Sequence, residues 1–122
     1  MTHVGPGEVT IELPFRDGLA QQNGFLHAGV VTAIADSACG YAAQTLMPSG
    51  KDVLTVEFKL NLLAPAAGDT FVARARVKKA GRTLSVVTAD VFALREGDEE
   101  ERLVATMQGT MMTVLDRPGL SG

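Results

Sequence analysis

The chain has 122 residues, of which 46% are hydrophobic and 20% charged, with a formal net charge of −3. This suits one folded domain over 1–122, with a core from about 8 to 115, and leaves no basic surplus with which to bind nucleic acid. One cysteine, Cys39, excludes an internal disulfide framework, and with His3 and His27 it makes no credible metal spacing, so no metal or cofactor is expected.

Residues 1–7 hold two glycines and a proline and read as frayed. Glu8 to Leu13 alternates apolar and polar residues, the period-2 pattern of a strand that Pro14 ends. Arg16 to Gly24 is polar and glycine-punctuated, a loop. From Ala28 to Leu46 the period changes. Val30, Val31, Ile34, Ala35, Ala38, Ala42 and Leu46 recur at helical spacing, and Thr32, Asp36, Gly40 and Gln44 form a second line four residues apart. Pro48-Ser49-Gly50 stops this helix. Leu54, Val56, Phe58, Leu60 and Leu62 then alternate with polar residues, predicting a strand with these side chains on one face. A turn at 64–69, a strand at 71–78, a basic turn at 79–82, a β-branched run at 83–94, a charged loop at 95–102 and a last strand at 103–115 complete the pattern. The tail at 116–122 holds proline and glycines. There is no signal-peptide pattern and no apolar run of about 18 residues, so neither export nor a membrane span is expected and the cytoplasm is the expected location.

Short links favour antiparallel neighbours, and the sheet is the one available cover for a single apolar helix. An α+β fold follows, with an antiparallel sheet wrapped around one long central helix. The outer face of that sheet would then need covering too, which self-association supplies.

The chemistry-bearing residues cluster where the loop meets the helix. His27 stands at the junction. Ala28 and Gly29 have little or no side chain, so a ligand can approach their backbone N–H groups. Such N–H groups lack helical partners and lie at the positive end of the helix dipole, where they would stabilise an oxyanion. Asp36 is a carboxylate in an otherwise small and apolar helix. Burial would raise its pKa and poise it as a general base or nucleophile, whereas a solvated helix face would leave it idle. His27 is equally open to reading as a cap, a packed side chain or a catalyst. Asp36 follows His27 by nine residues, roughly 13 Å along a helix. One chain therefore cannot easily bring both to one carbonyl, but two antiparallel helices in a two-fold dimer can.

Asn23-Gly24-Phe25-Leu26-His27-Ala28-Gly29, followed by Ala35-Asp36-Ser37-Ala38, resembles the PaaI-type hotdog-fold acyl-CoA thioesterases. So do Val56-Glu57-Phe58, Pro65, Gly68-Asp69 and Lys79-Ala80-Gly81-Arg82-Thr83-Leu84. The resemblance spans about residues 8 to 115 and is more specific for fold than for activity. It implies an acyl-CoA substrate and a homodimer, commonly paired into a dimer of dimers. It implies that His27 orders the loop, that the N–H at Ala28 polarises the thioester carbonyl, and that the partner subunit supplies Asp36 as the catalytic carboxylate. It further implies that Gln21, preferred over the nearer Asn23, assists the carbonyl or water, and that Thr55 supports the nucleophilic water. The family usually reads His-Gly-Gly where this chain has His27-Ala28-Gly29. Alanine keeps the N–H but its methyl narrows the approach.

Lys79 and Arg82, with Lys78, are candidates for the phosphates of coenzyme A, although a basic turn is usually just solvated. Cys39 reads as a packed small hydrophobe, His3 as idle, and Met107, Met111 and Met112 as strand packing. Hydrolysis of an acyl-CoA thioester is the leading expectation. A hydratase or dehydratase of acyl thioesters, needing a paired acid and base near the β-carbon, and a non-catalytic acyl-CoA-binding module are the alternatives.

Overall fold

The computed structural model describes residues 1–15, 26–97 and 100–115. In chain order it contains β1 (His3–Gly5), β2 (Glu8–Pro14), α1 (Ala28–Gln44), β3 (Lys51–Leu62), β4 (Thr70–Ala80), β5 (Leu84–Leu94) and β6 (Arg102–Leu115). The six strands make one sheet in the order β1-β2-β4-β5-β6-β3, with every pair antiparallel. The helix packs on one face of this sheet, and the expected hotdog arrangement is what the chain adopts.

Small residues set the distance between helix and sheet. Ala35, Ala38 and Ala42 on α1 are fully buried, as are Ala73 on β4 and Ala105 on β6. With only methyl groups between them, backbone approaches backbone and little space remains to fill. The larger core side chains, Phe71, Met107 and Met111, are also fully buried. Phe71 meets Phe15 in a tilted pair with ring centroids 6.4 Å apart. Phe71→Ala should cost about 3–5 kcal/mol, the loss of a large buried ring plus the cavity it leaves. Chemical denaturation checks this, and a midpoint equal to wild type would show that the core does not depend on the ring.

The amino-terminal residues are not frayed. β1 pairs with β2 through His3 opposite Thr10, Val4 opposite Val9 and Gly5 opposite Glu8. Pro6-Gly7 makes the two-residue turn, and Gly7 has φ 72°, a left-handed conformation that glycine adopts without strain. The hairpin is tied to the end of α1. The Thr45 hydroxyl accepts the Gly7 N–H at 2.7 Å and donates to the Ala42 carbonyl at 2.6 Å. The helix ends at Gln44, two residues before the predicted end, with Thr45 as its cap.

The faces of β3 also differ from the even alternation predicted. Its pairing to β6 passes from Thr55 opposite Met111 to Glu57 opposite Thr110, so Val56 is an extra residue, a β-bulge. The bulge inverts which side chains face the helix. Val53 and Leu60, of opposite parity, both pack against the core, while Leu54 is 51% exposed. Thr55 therefore points to the helix and Leu54 away from it.

Much of the sheet's outer face needs no cover. Its cross-strand rows read Thr10, Arg74, Asp90, Thr106 and Glu8, Arg76, Thr88, Gln108. Arg76 pairs with Glu8 at 3.1 Å, and Arg74 forks onto Glu101 while stacking over Phe92. Exposed apolar side chains gather instead on β3, at the edge of the sheet, and in the row where Leu84 and Leu54 flank the half-buried Met112. Among the described residues no helix is long and apolar enough to cross a membrane.

Candidate functional site

Two of the predicted residues meet. The inverted face of β3 brings the Thr55 hydroxyl against α1, where it donates to the Asp36 carboxylate at 2.9 Å. The same oxygen lies 3.3 Å from the Met111 sulfur, so the buried thioether packs beneath the hydroxyl and limits its rotation. A hydroxyl has one proton, and the charged carboxylate is the stronger acceptor. Asp36 is half-buried at the wall of an open cleft of about 270 Å³ between α1 and β3. Tyr41, Gln44 and Asp52 share this cleft; Gln44 belongs to the polar line read along the helix, and Tyr41 and Asp52 did not stand out in the sequence. For Tyr41 and Gln44 the available signal was spacing: they follow Asp36 by five and eight residues, on the solvent side of the helix.

His27 is the N-cap of α1. Its backbone is extended, at φ −61° and ψ 137°, and its Nδ1 accepts the Gly29 N–H at 2.9 Å. An accepting Nδ1 carries no proton, which places the proton of the neutral ring on Nε2. A Cβ at position 29 would lie 3.0 Å from Nδ1, so the cap and the glycine require each other. The Gly29 N–H is thereby occupied by His27 rather than offered to a ligand. For the Ala28 N–H, the described residues supply no hydrogen-bond partner. Ala28 borders a separate apolar cavity of about 130 Å³ with Leu26, Val31, Leu62, Pro65 and Val104. Leu26 anchors the approach to the helix: it is buried, and its N–H donates to the Ala66 carbonyl at 2.8 Å.

Asp36 follows Ala28 by eight residues, about 12 Å of helix rise. The cavity at the helix start and the cleft at Asp36 share no lining residue. Gln21 and Asn23 lie outside the described residues. Lys79 is not in a turn: β4 runs on through Ala80, and a bulge between Val77 and Lys79 puts Lys79 opposite Val86. Arg82 is exposed in the turn that follows. The strand register places this turn at the Thr55 end of the sheet, since Ser85, Met111 and Thr55 lie in one row. Cys39 is buried away from the cleft. Among the described residues no cluster of His, Cys, Asp and Glu is fit to hold a metal ion.

Residues 23–100 match the family model described as the thioesterase superfamily. A protein of Saccharolobus solfataricus, an esterase by inference, is 34% identical over 85% of this chain. The chain spans 65% of that relative's length. A thioesterase family protein from Silicibacter pomeroyi superposes with a TM-score of 0.89 at 52% identity, covering 93% of this chain and 82% of its own. A Bacillus halodurans protein solved with CoA superposes with a TM-score of 0.80 at 21% identity, covering 88% and 68%. At that identity the likeness is one of fold.

Proposed function

Because the chain belongs to the thioesterase superfamily, we propose that it is an acyl-CoA thioesterase of the PaaI type, splitting acyl-CoA and water into a free acid and CoA. The observation that carries this reading is the Asp36 carboxylate, held by Thr55 in an open cleft on the helix whose first N–H, at Ala28, points to no described partner.

The step balances with these two groups. Asp36 takes a proton from water as the water oxygen bonds to the thioester carbon. The carbonyl electron pair moves onto oxygen, where the Ala28 N–H stabilises the charge. Collapse of this intermediate re-forms the carbonyl and breaks the C–S bond, and the departing thiolate recovers the proton from Asp36. Direct attack by the carboxylate, through a mixed anhydride, uses the same groups and differs in where labelled water oxygen first enters.

The 12 Å between Ala28 and Asp36 favours a site shared by two copies, and the surface supports that assembly. Among the described residues β3 is an edge strand with one neighbour, β6, and it exposes Leu54, Val56, Phe58 and Leu62. Pairing two such edges removes their unsatisfied backbone groups from water and covers the apolar side chains. Gly29, Ala33, Asp36 and Gly40 lie on one stripe of α1, small enough for two antiparallel helices to approach side by side. The Leu84, Met112, Leu54 row offers a second contact, for a dimer of dimers. In this arrangement Gln21 or Asn23 assists the carbonyl, His27 fixes the helix start, and Lys79 and Arg82 meet CoA phosphates. The Bacillus halodurans relative, solved with CoA, favours that substrate class.

Thiol release from a panel of acyl-CoAs tests the assignment. Wild type should release thiol, and Asp36→Asn, which preserves the shape of the side chain and its Thr55 contact, should not, while eluting at the wild-type size. Equal turnover by the two proteins would overturn the assignment.

A further inference from the structure

The cleft at Asp36 does not end at Asp36. Its far wall is formed by Tyr41 and Gln44, and these two side chains also line a second groove of about 190 Å³ with Met1, Val4, Val9 and Thr45. Tyr41 thus stands between two cavities. We infer that the acyl chain of the substrate runs from the Asp36 cleft past Tyr41 into this groove, and that Tyr41 sets the acyl length accepted. The inference rests on the thioesterase reading above.

Three observations favour an acyl tail as the occupant. Tyr41, Gln44 and Thr45 line the groove too, but its exposed surface is almost wholly apolar and is walled by Met1, Val4 and Val9, so it suits a hydrocarbon chain better than the amides of a pantetheine arm. The one hydroxyl at its end, on Thr45, is already engaged by Gly7 and Ala42. Those two bonds also make the groove a built feature, because they fasten the β1–β2 hairpin to the end of the helix. The cavity beside Ala28, at about 130 Å³, is smaller than the roughly 150 Å³ that takes up one benzene ring and is too small for a long chain.

The length follows from the helix. From Asp36 the rise is about 7.5 Å to Tyr41, where the groove begins, and about 13 Å to Thr45 at its end. An extended chain advances by about 3.3–3.6 Å for every three bonds, so a chain of roughly ten carbons reaches the groove and one of four does not. The substrate class is therefore a medium-length straight-chain acyl thioester.

The test compares kcat/KM for decanoyl-CoA and butanoyl-CoA, with Asp36→Asn as the background control. Val4→Arg puts a charge on the wall of the groove at an exposed position, outside the buried core. It should lower the decanoyl-to-butanoyl ratio roughly tenfold or more. Tyr41→Trp should lower the same ratio by narrowing the passage, and Tyr41→Ala should raise it. Ratios within about twofold of wild type in Val4→Arg and Tyr41→Trp, with Asp36-dependent thiol release intact, would overturn the acyl path and leave the thioesterase reading standing. No release from either ester by wild type would overturn both.

Discussion

Mixed in equal amounts and refolded together, Asp36→Asn and Ala28→Pro subunits should regain on the order of a quarter of wild-type turnover, although each alone is nearly inactive. The two substitutions remove different halves of the proposed site. Loss of the carboxylate forfeits general base catalysis, a factor of about 10²–10⁴, and loss of one oxyanion donor costs about 10²–10³. Proline is the right tool at position 28. It lacks the N–H, it is well tolerated at the first residue of a helix, and it asks the preceding residue for an extended backbone. His27 already has one, at φ −61° and ψ 137°. The cap bond from Gly29 to His27 is untouched. If the carboxylate of one copy serves the N–H of the other, a mixed dimer holds one intact site and one doubly damaged one. Half the dimers in a random mixture are mixed and half of their sites work, which gives the quarter. A mixture no more active than its parents would place the whole site within one chain and sink the shared arrangement.

The second large effect concerns Cys39. Burial pushes its thiol from an ordinary 9.0 up to about 12, with the nearby Asp36 charge adding to the shift. At pH 8 this lowers the thiolate fraction roughly a thousandfold relative to an open chain, and the thiolate is the reactive form. Alkylation should therefore be at least about 10³ times slower in the folded protein than in denaturant, with one thiol appearing as the fold opens. A folded-state rate near that of a free thiol would refute the packing described for the helix. The same shift carries a pH dependence. A thiol that holds its proton more tightly in the folded state stabilises the fold fully while both states remain protonated, below about 9. That contribution falls away as pH rises from there toward 12.

The helix, most turns and five of the six strands described were legible from periodicity and turn chemistry, although the basic turn read at 79–82 starts later because β4 runs on through Ala80. β1 was missed because Gly5-Pro6-Gly7 reads as punctuation, and its use as a hairpin turn depends on Val4 and Val9 finding each other across it. The even alternation read for Leu54 to Leu62 failed because one inserted residue, Val56, leaves the pattern of the sequence intact while reversing it in space. Hence Leu54, which looks like core, is exposed, and the threonine beside it reaches the carboxylate. Gly29 was legible as a place of close approach, but its closest neighbour is the imidazole of its own cap. Tyr41 carried no signal of its own, since its position matters through two cavities, one formed between α1 and β3 and the other only once the N-terminal hairpin is docked.

The strand order has a consequence for how the site comes into being. Among the described residues β3 has a single partner, β6, which is the last of the strands described. A nascent chain emerging from the ribosome has made the helix and Thr55 long before it has made the strand that holds β3 against them. Until residues 102–115 arrive, Thr55 has no strand partner to fix its register and the backbone of β3 is unpaired on both edges. The Asp36–Thr55 bond is thus a contact that the final strand completes, and a prematurely terminated product would keep the helix yet lack the paired carboxylate.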